Sequence, residues 1–145
     1  MLQRNHRAKR LDTGRWIEGF YSSYSDAKGN GNYQIRSSNG YQNDVDFTTA
    51  SQWTGLLDSQ ENRIYENDIV VFVYLNIYKV IGVINLNQWG HCQVEAKIVT
   101  MNGTDSRKEF KHGLDFHIEN AVKGKVIGNV FDNAEILEDV AQHSI

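Results

Sequence analysis

At 145 residues, with 40% hydrophobic and 23% charged side chains, the chain suits one domain with a buried core and is too apolar to stay globally disordered. Its formal net charge is −3, but Arg4, Arg7, Lys9 and Arg10 occupy the first ten residues without an acid, which leaves residues 11–145 with 11 basic and 18 acidic side chains, a balance of −7. Such a body repels nucleic acid on average. Cys92 is the single cysteine, so no intrachain disulfide can form and a reducing, cytoplasmic compartment is expected. The basic start has no apolar stretch behind it and does not read as a secretory signal.

In chain order, the basic start reads as a first strand with solvated outward residues. Arg15 to Tyr21 follows as a strand, because Trp16, Phe20 and Tyr21 favour the pleated surface and Gly19 suits a bulge. Ser22 to Asn32 is rich in Ser, Asp, Gly and Asn and is predicted to be a mobile loop. Asn32 to Arg36 is a short strand, Asn39-Gly40 signals a type I′ hairpin turn, and Tyr41 to Thr48 returns. Ile69 to Leu75, the longest apolar run, reads as a strand buried on both faces and falls far below the roughly 20 residues of a membrane-spanning helix. Ile77 to Leu86 and His91 to Met101 are further strands, the latter with a phase change before Met101, and Asn102-Gly103 is a second hairpin signal.

Leu114 to Ala121 is predicted to add a turn or two of helix. Lys125 to Phe131 is the last strand, and Asn133 is a predicted N-cap for a helix over Ala134 to Gln142. Without linker or repeat, the expectation is a single domain over 1–145. It should be mainly β, a barrel-like or rolled antiparallel sheet of short strands with a short C-terminal helix. Proline is absent where about seven would follow from an average usage of roughly 5%. Edge strands therefore lack one common guard against edge-to-edge pairing.

The most distinctive segment runs from Ser51 to Val70, SQWTGLLDSQENRIYENDIV. Trp53 and Leu56 flank a tight backbone at Gly55, Asp58 to Arg63 forms a polar turn, and Glu66-Asn67-Asp68 launches the buried strand. Asn67 suits a left-handed position and Asp68 can bond a backbone N–H. The segment resembles the pattern of the YopX family of phage and prophage proteins, Q-[YW]-T-G-L-x-D followed by I-Y-E-G-D-I-V. Lys125 to Leu137, KVIGNVFDNAEIL, resembles the family's C-terminal stretch, and Arg7 to Arg10 and Gly14 to Phe20 resemble its opening. Two departures, Asn67 for the usual Gly and Ala134 for the usual Pro, leave the fold intact. The resemblance implies a β-rich, barrel-like fold and a phage or prophage origin, hence a bacterial cytosol, and supplies no catalytic residues.

Candidate chemistry is thin. His91 and Cys92 are strand neighbours pointing to opposite faces, and no second Cys or His stands at zinc-ligand spacing. His112, Asp115 and His117 could orient a general base, but no nucleophile accompanies them. The acids Asp44, Asp46, Glu66 and Asp68 could bind a divalent ion, although solvation and turn chemistry explain them as well. Gly29-Asn30-Gly31 lacks the Lys and helix of a phosphate loop. No catalytic residue, metal or cofactor is expected. Trp16 and Trp53 read as core, while Trp89, among Asn87, Gln88 and Gly90, reads as an exposed anchor. The resulting expectation is a non-enzymatic interaction module that self-associates or meets a phage or host protein, without membrane. The alternative is a small barrel that binds single-stranded nucleic acid through Arg4, Arg7, Lys9, Arg10 and its aromatic rings.

Overall fold

A computed structural model describes residues 5–25, 27–28, 31–87, 89–106 and 115–138. The chain forms two compact units, residues 1–53 and 54–145. The architecture is mainly β, with two antiparallel sheets, one of them partly ring-like, and a short C-terminal helix.

In the first unit, β1 (His6–Arg10), β2 (Trp16–Ser25), β3 (Gly31–Arg36) and the start of β4 (Gln42–Leu57) pair in sequence order. β1 also pairs with β4, so the four strands close a ring. Closure needs β4 to bend. Residues 47–50 bulge out between the Arg7–Ser51 and Lys9–Asp46 pairs. Thr49 holds the bulge, its hydroxyl accepting from the Lys9 N–H at 2.9 Å and donating to the Asp46 carbonyl at 2.7 Å. The core of this unit is small: Ala8, Ile35 and Val45, with Ile17, Tyr21, Tyr33 and Ala50 around them.

Three expectations change here. Ser22 to Ser25 is not loop but the end of β2, paired with Gly31 to Gln34 on β3, although all four residues are exposed. Asn39-Gly40 does not form a type I′ turn. Gly40 alone is left-handed, with φ 88°, its N–H bonds the Ser37 carbonyl and the Ser37 N–H bonds the Tyr41 carbonyl. Trp16 and Trp53 are half-buried and stand outside both hydrophobic cores.

The second unit contains the end of β4, β5 (Arg63–Tyr65) and a sheet ordered β10-β8-β7-β6-β11. Its strands are β6 (Asp68–Tyr74), β7 (Tyr78–Leu86), β8 (Cys92–Met101), β10 (Asp115–His117) and β11 (Lys125–Asn129), with β9 (Thr104–Asp105) on β8. Ile64, Val70, Phe72, Val80, Ile84, Val94 and Val99 form the core, closed by Ile118 and Ala121 around α1 (Glu119–Lys123). The expected phase change in β8 is a bulge at Lys97, where Ile81 pairs Ile98 but Gly82 pairs Ala96. It keeps Val94, Ala96 and Val99 in the core while Ile98 turns to the other face.

Asn102-Gly103 makes the expected turn, with φ 54° and 82°. β6 is covered on both faces only at its start, since Val73 is exposed. Asp115 to His117 is strand, so the helix begins only at Glu119. Asn133 does not cap α2 (Glu135–Glu138) with its side chain, which instead accepts the Asn129 N–H at 3.1 Å. Residues 139–142 lie outside the described residues. Among the described residues no helix is long and apolar enough to cross a membrane.

Candidate functional site

The distinctive Ser51 to Val70 segment is a folding device. Thr54 on β4 donates its hydroxyl to the Ile64 carbonyl on β5 at 2.7 Å, which binds the two strands. Asn67 is left-handed, with φ 68°, and the buried Asp68 carboxylate accepts the Tyr65 N–H at 2.8 Å. The Asn67 N–H then reaches Ile84 on β7, and its carbonyl accepts from Val130 beyond β11. The turn therefore joins three segments.

Asp58 carries a link across 68 residues. Only 5% exposed, it accepts N–H bonds from Gln60 and Asn62 at Oδ1 and from Val126 at Oδ2, each at 2.9 Å. Burial alone would push its carboxyl up, but the N–H groups of Val126, Asn62 and Gln60 outweigh burial and hold it below the ordinary carboxylate range. The Ser59 N–H bonds the Gly124 carbonyl at 2.9 Å. Val126 belongs to β11, the last strand of its sheet, so this turn covers the strand edge that lacks a proline guard.

The C-terminal stretch is built similarly. The Asn129 side chain accepts from the Phe131 and Asp132 N–H groups and donates to the Asp132 carboxylate. Asn133 lies over Gly128, where a Cβ would meet its Oδ1 at 2.5 Å, so glycine is required. The central and C-terminal segments that carry the sequence resemblance thus contain turns with a defined load, while the opening stretches lie largely on β1 and β2. A family model described as YopX protein matches residues 5–138. The chain belongs to the YopX family. No curated protein matches it.

The other candidate residues of this YopX-family chain are not assembled into a reactive site. Asp115 and His117 are exposed and do not bond each other, and His117 Nδ1 accepts the Glu119 N–H at 3.2 Å. His112 lies outside the described residues. His91 is exposed at a turn, while Cys92 packs on the core of the second unit. Asp44 accepts from Gln34, and Asp46 accepts from the Thr48 N–H and hydroxyl. Among the described residues no group of His, Cys, Asp and Glu could hold a metal ion.

The basic start is largely engaged. Arg4 lies outside the described residues. Arg7 and Lys9 stand over the Trp16 ring at 4.8 and 5.4 Å from its centroid. Arg10 forms a bidentate pair with Asp12 at 2.9 and 2.7 Å, which holds the exposed carboxyl of Asp12 down and raises Arg10. Beside them a row of stacked rings crosses the four strands of the ring: His6, Tyr21, Tyr33 and Phe47, with centroids 5.2, 5.7 and 4.9 Å apart. Burial, then the neighbouring Tyr33, pushes the Tyr21 phenol up. Sequence reading missed this row because its members are far apart in the chain.

Trp89 is 75% exposed. Its turn is nevertheless tightly held. Asn87 Oδ1 accepts the Trp89 and His91 N–H groups at 2.9 and 3.0 Å, its N–H bonds the His91 carbonyl and its carbonyl accepts from Gly90. The indole is presented to solvent from this hydrogen-bonded turn.

Proposed function

We propose that this YopX-family protein is a non-enzymatic interaction module of phage or prophage origin that self-associates in the bacterial cytosol. The observation that carries the reading is the Trp89 turn. A large exposed ring on a turn held by two backbone–backbone bonds and two to the Asn87 side chain can be buried by a partner with little backbone ordering cost, and Trp is enriched among residues that dominate interface energy. The covered edge of β11 favours assembly through side chains over strand addition at that edge. Light scattering over micromolar concentrations tests it. The wild type is expected to exceed the monomer mass and Trp89→Ala to fall to it, whereas a strictly monomeric wild type refutes the reading.

A second reading, binding of single-stranded nucleic acid, draws on the Arg7–Lys9–Trp16 cluster and the ring row. It has less support, because the rings of the row stack on one another and offer few faces to bases, and because the body of the chain is acidic. Salt-dependent binding that disappears when Arg4, Arg7, Lys9 and Arg10 are neutralised would favour it over the first reading.

A further inference from the structure

The outer face of the second unit's sheet carries a lysine-rimmed apolar groove. Strand register fixes its floor: Lys125 pairs Val71, Val71 pairs Ile81 and Ile81 pairs Ile98, so one cross-strand row runs over β11, β6, β7 and β8. A hollow of about 630 Å³ lies over Val71, Ile81 and Ile127, with Lys79, Lys123 and Lys125 on its rim. A second hollow of about 290 Å³ shares Lys79 and Ile81 and extends past Ile98. The row spans about 14 Å at the usual strand spacing, close to the reach of four or so extended residues.

Four features define the occupant. Among the described residues Lys79, Lys123 and Lys125 make no ion pair, so three cations gather on a chain whose net charge is −3. The floor between them is aliphatic. The neighbouring edge of β11 is closed by Asp58 and Ser59, which excludes main-chain pairing there and leaves recognition to side chains. The elongated, two-hollow shape suits a chain segment better than a compact molecule. We infer that this groove binds an acidic, apolar peptide segment of a partner protein, its carboxylates on the three lysines and its aliphatic side chains on Val71, Ile81 and Ile127. The groove shares no residue with the Trp89 turn, so the inference stands apart from self-association.

Fluorescence anisotropy with the full chain and a labelled peptide alternating Glu and Leu tests it, with peptides alternating Lys and Leu or Glu and Ser as controls. The Glu–Leu peptide is expected to bind, more weakly as salt rises, and to lose about tenfold in affinity when the three lysines become Ser, since each exposed pair contributes modestly. Changing them to Glu should transfer binding to the Lys–Leu peptide, a gain that misfolding could not produce. Trp89→Ala should leave peptide binding unchanged. Equal binding of the Glu–Ser peptide, or binding of decanoate in place of any peptide, overturns the inference.

Discussion

Replacing Asp58 tests the role given to the family motif. Its carboxylate holds three backbone N–H groups at 2.9 Å, one of them 68 residues away on β11. In Asp58→Asn one oxygen can still accept from Gln60 and Asn62, but the new NH₂ group must face the Val126 N–H. Losing a charge-assisted bond and leaving that donor unsatisfied should destabilise the second unit by about 2–4 kcal/mol. Asp58→Ala removes all three acceptor contacts and should lie at the upper end of that range or beyond it.

Urea unfolding followed by circular dichroism reads the loss, and hydrogen exchange at the Val126 amide reads its origin. The pH dependence has a definite sign. The folded carboxyl titrates below its unfolded value of about 3.9, so its contribution is complete above that pH and fades as pH falls through the lower, folded value. The gap between wild type and Asp58→Asn should therefore be constant from neutral pH to about pH 5 and narrow below pH 4. A gap under about 0.5 kcal/mol at neutral pH, or unchanged Val126 exchange, would refute the role of Asp58.

Other perturbations have equally definite outcomes. Leu75 is 66% exposed with φ 53° in the β6–β7 turn, so Leu75→Asn should relieve left-handed strain and raise stability by about 0.5–1 kcal/mol in urea unfolding. Gly82→Ala would place a Cβ 2.6 Å from Val94 Cγ1 and 2.7 Å from the Glu95 carbonyl oxygen, and should destabilise by about 1–3 kcal/mol. Gly31→Ala, with nothing within 4 Å, should stay within about 0.5 kcal/mol in the same assay. Trp89→Ala should change chain stability by less than about 0.5 kcal/mol at low concentration while removing the assembly.

What the sequence disclosed follows from the range of each interaction. Local rules placed the left-handed Asn67, the Asn102-Gly103 turn and the Asp68 cap, because each is decided within a few residues. Apolar patterning placed β6, β7, β8 and β11 but not the short β5, β9 and β10, and the break in alternation before Met101 marked the Lys97 bulge without locating it. Composition misled at Ser22 to Ser25, where cross-strand partners decide the structure and serine content does not. Asn133 has the chemistry of a helix cap but a nearer backbone donor at Asn129. Asp58 read only as a polar turn residue, since its partner on β11 is remote in sequence. The ring row and the lysine groove depend on strand order, and residues such as Lys79 and Lys125 line one hollow only because β6 lies between β7 and β11. Trp89 was legible because its neighbours are short and polar on both sides.

Fluorine NMR of the chain labelled with 5-fluorotryptophan reads the proposed contact directly. Three resonances are expected, from Trp16, Trp53 and Trp89, with Trp89 assigned by its loss in Trp89→Phe. If the exposed indole is the self-association anchor, its resonance shifts and broadens as concentration rises through the micromolar range while the other two stay fixed. A Trp89 resonance that keeps its solvent-exposed position at every concentration would contradict the assignment.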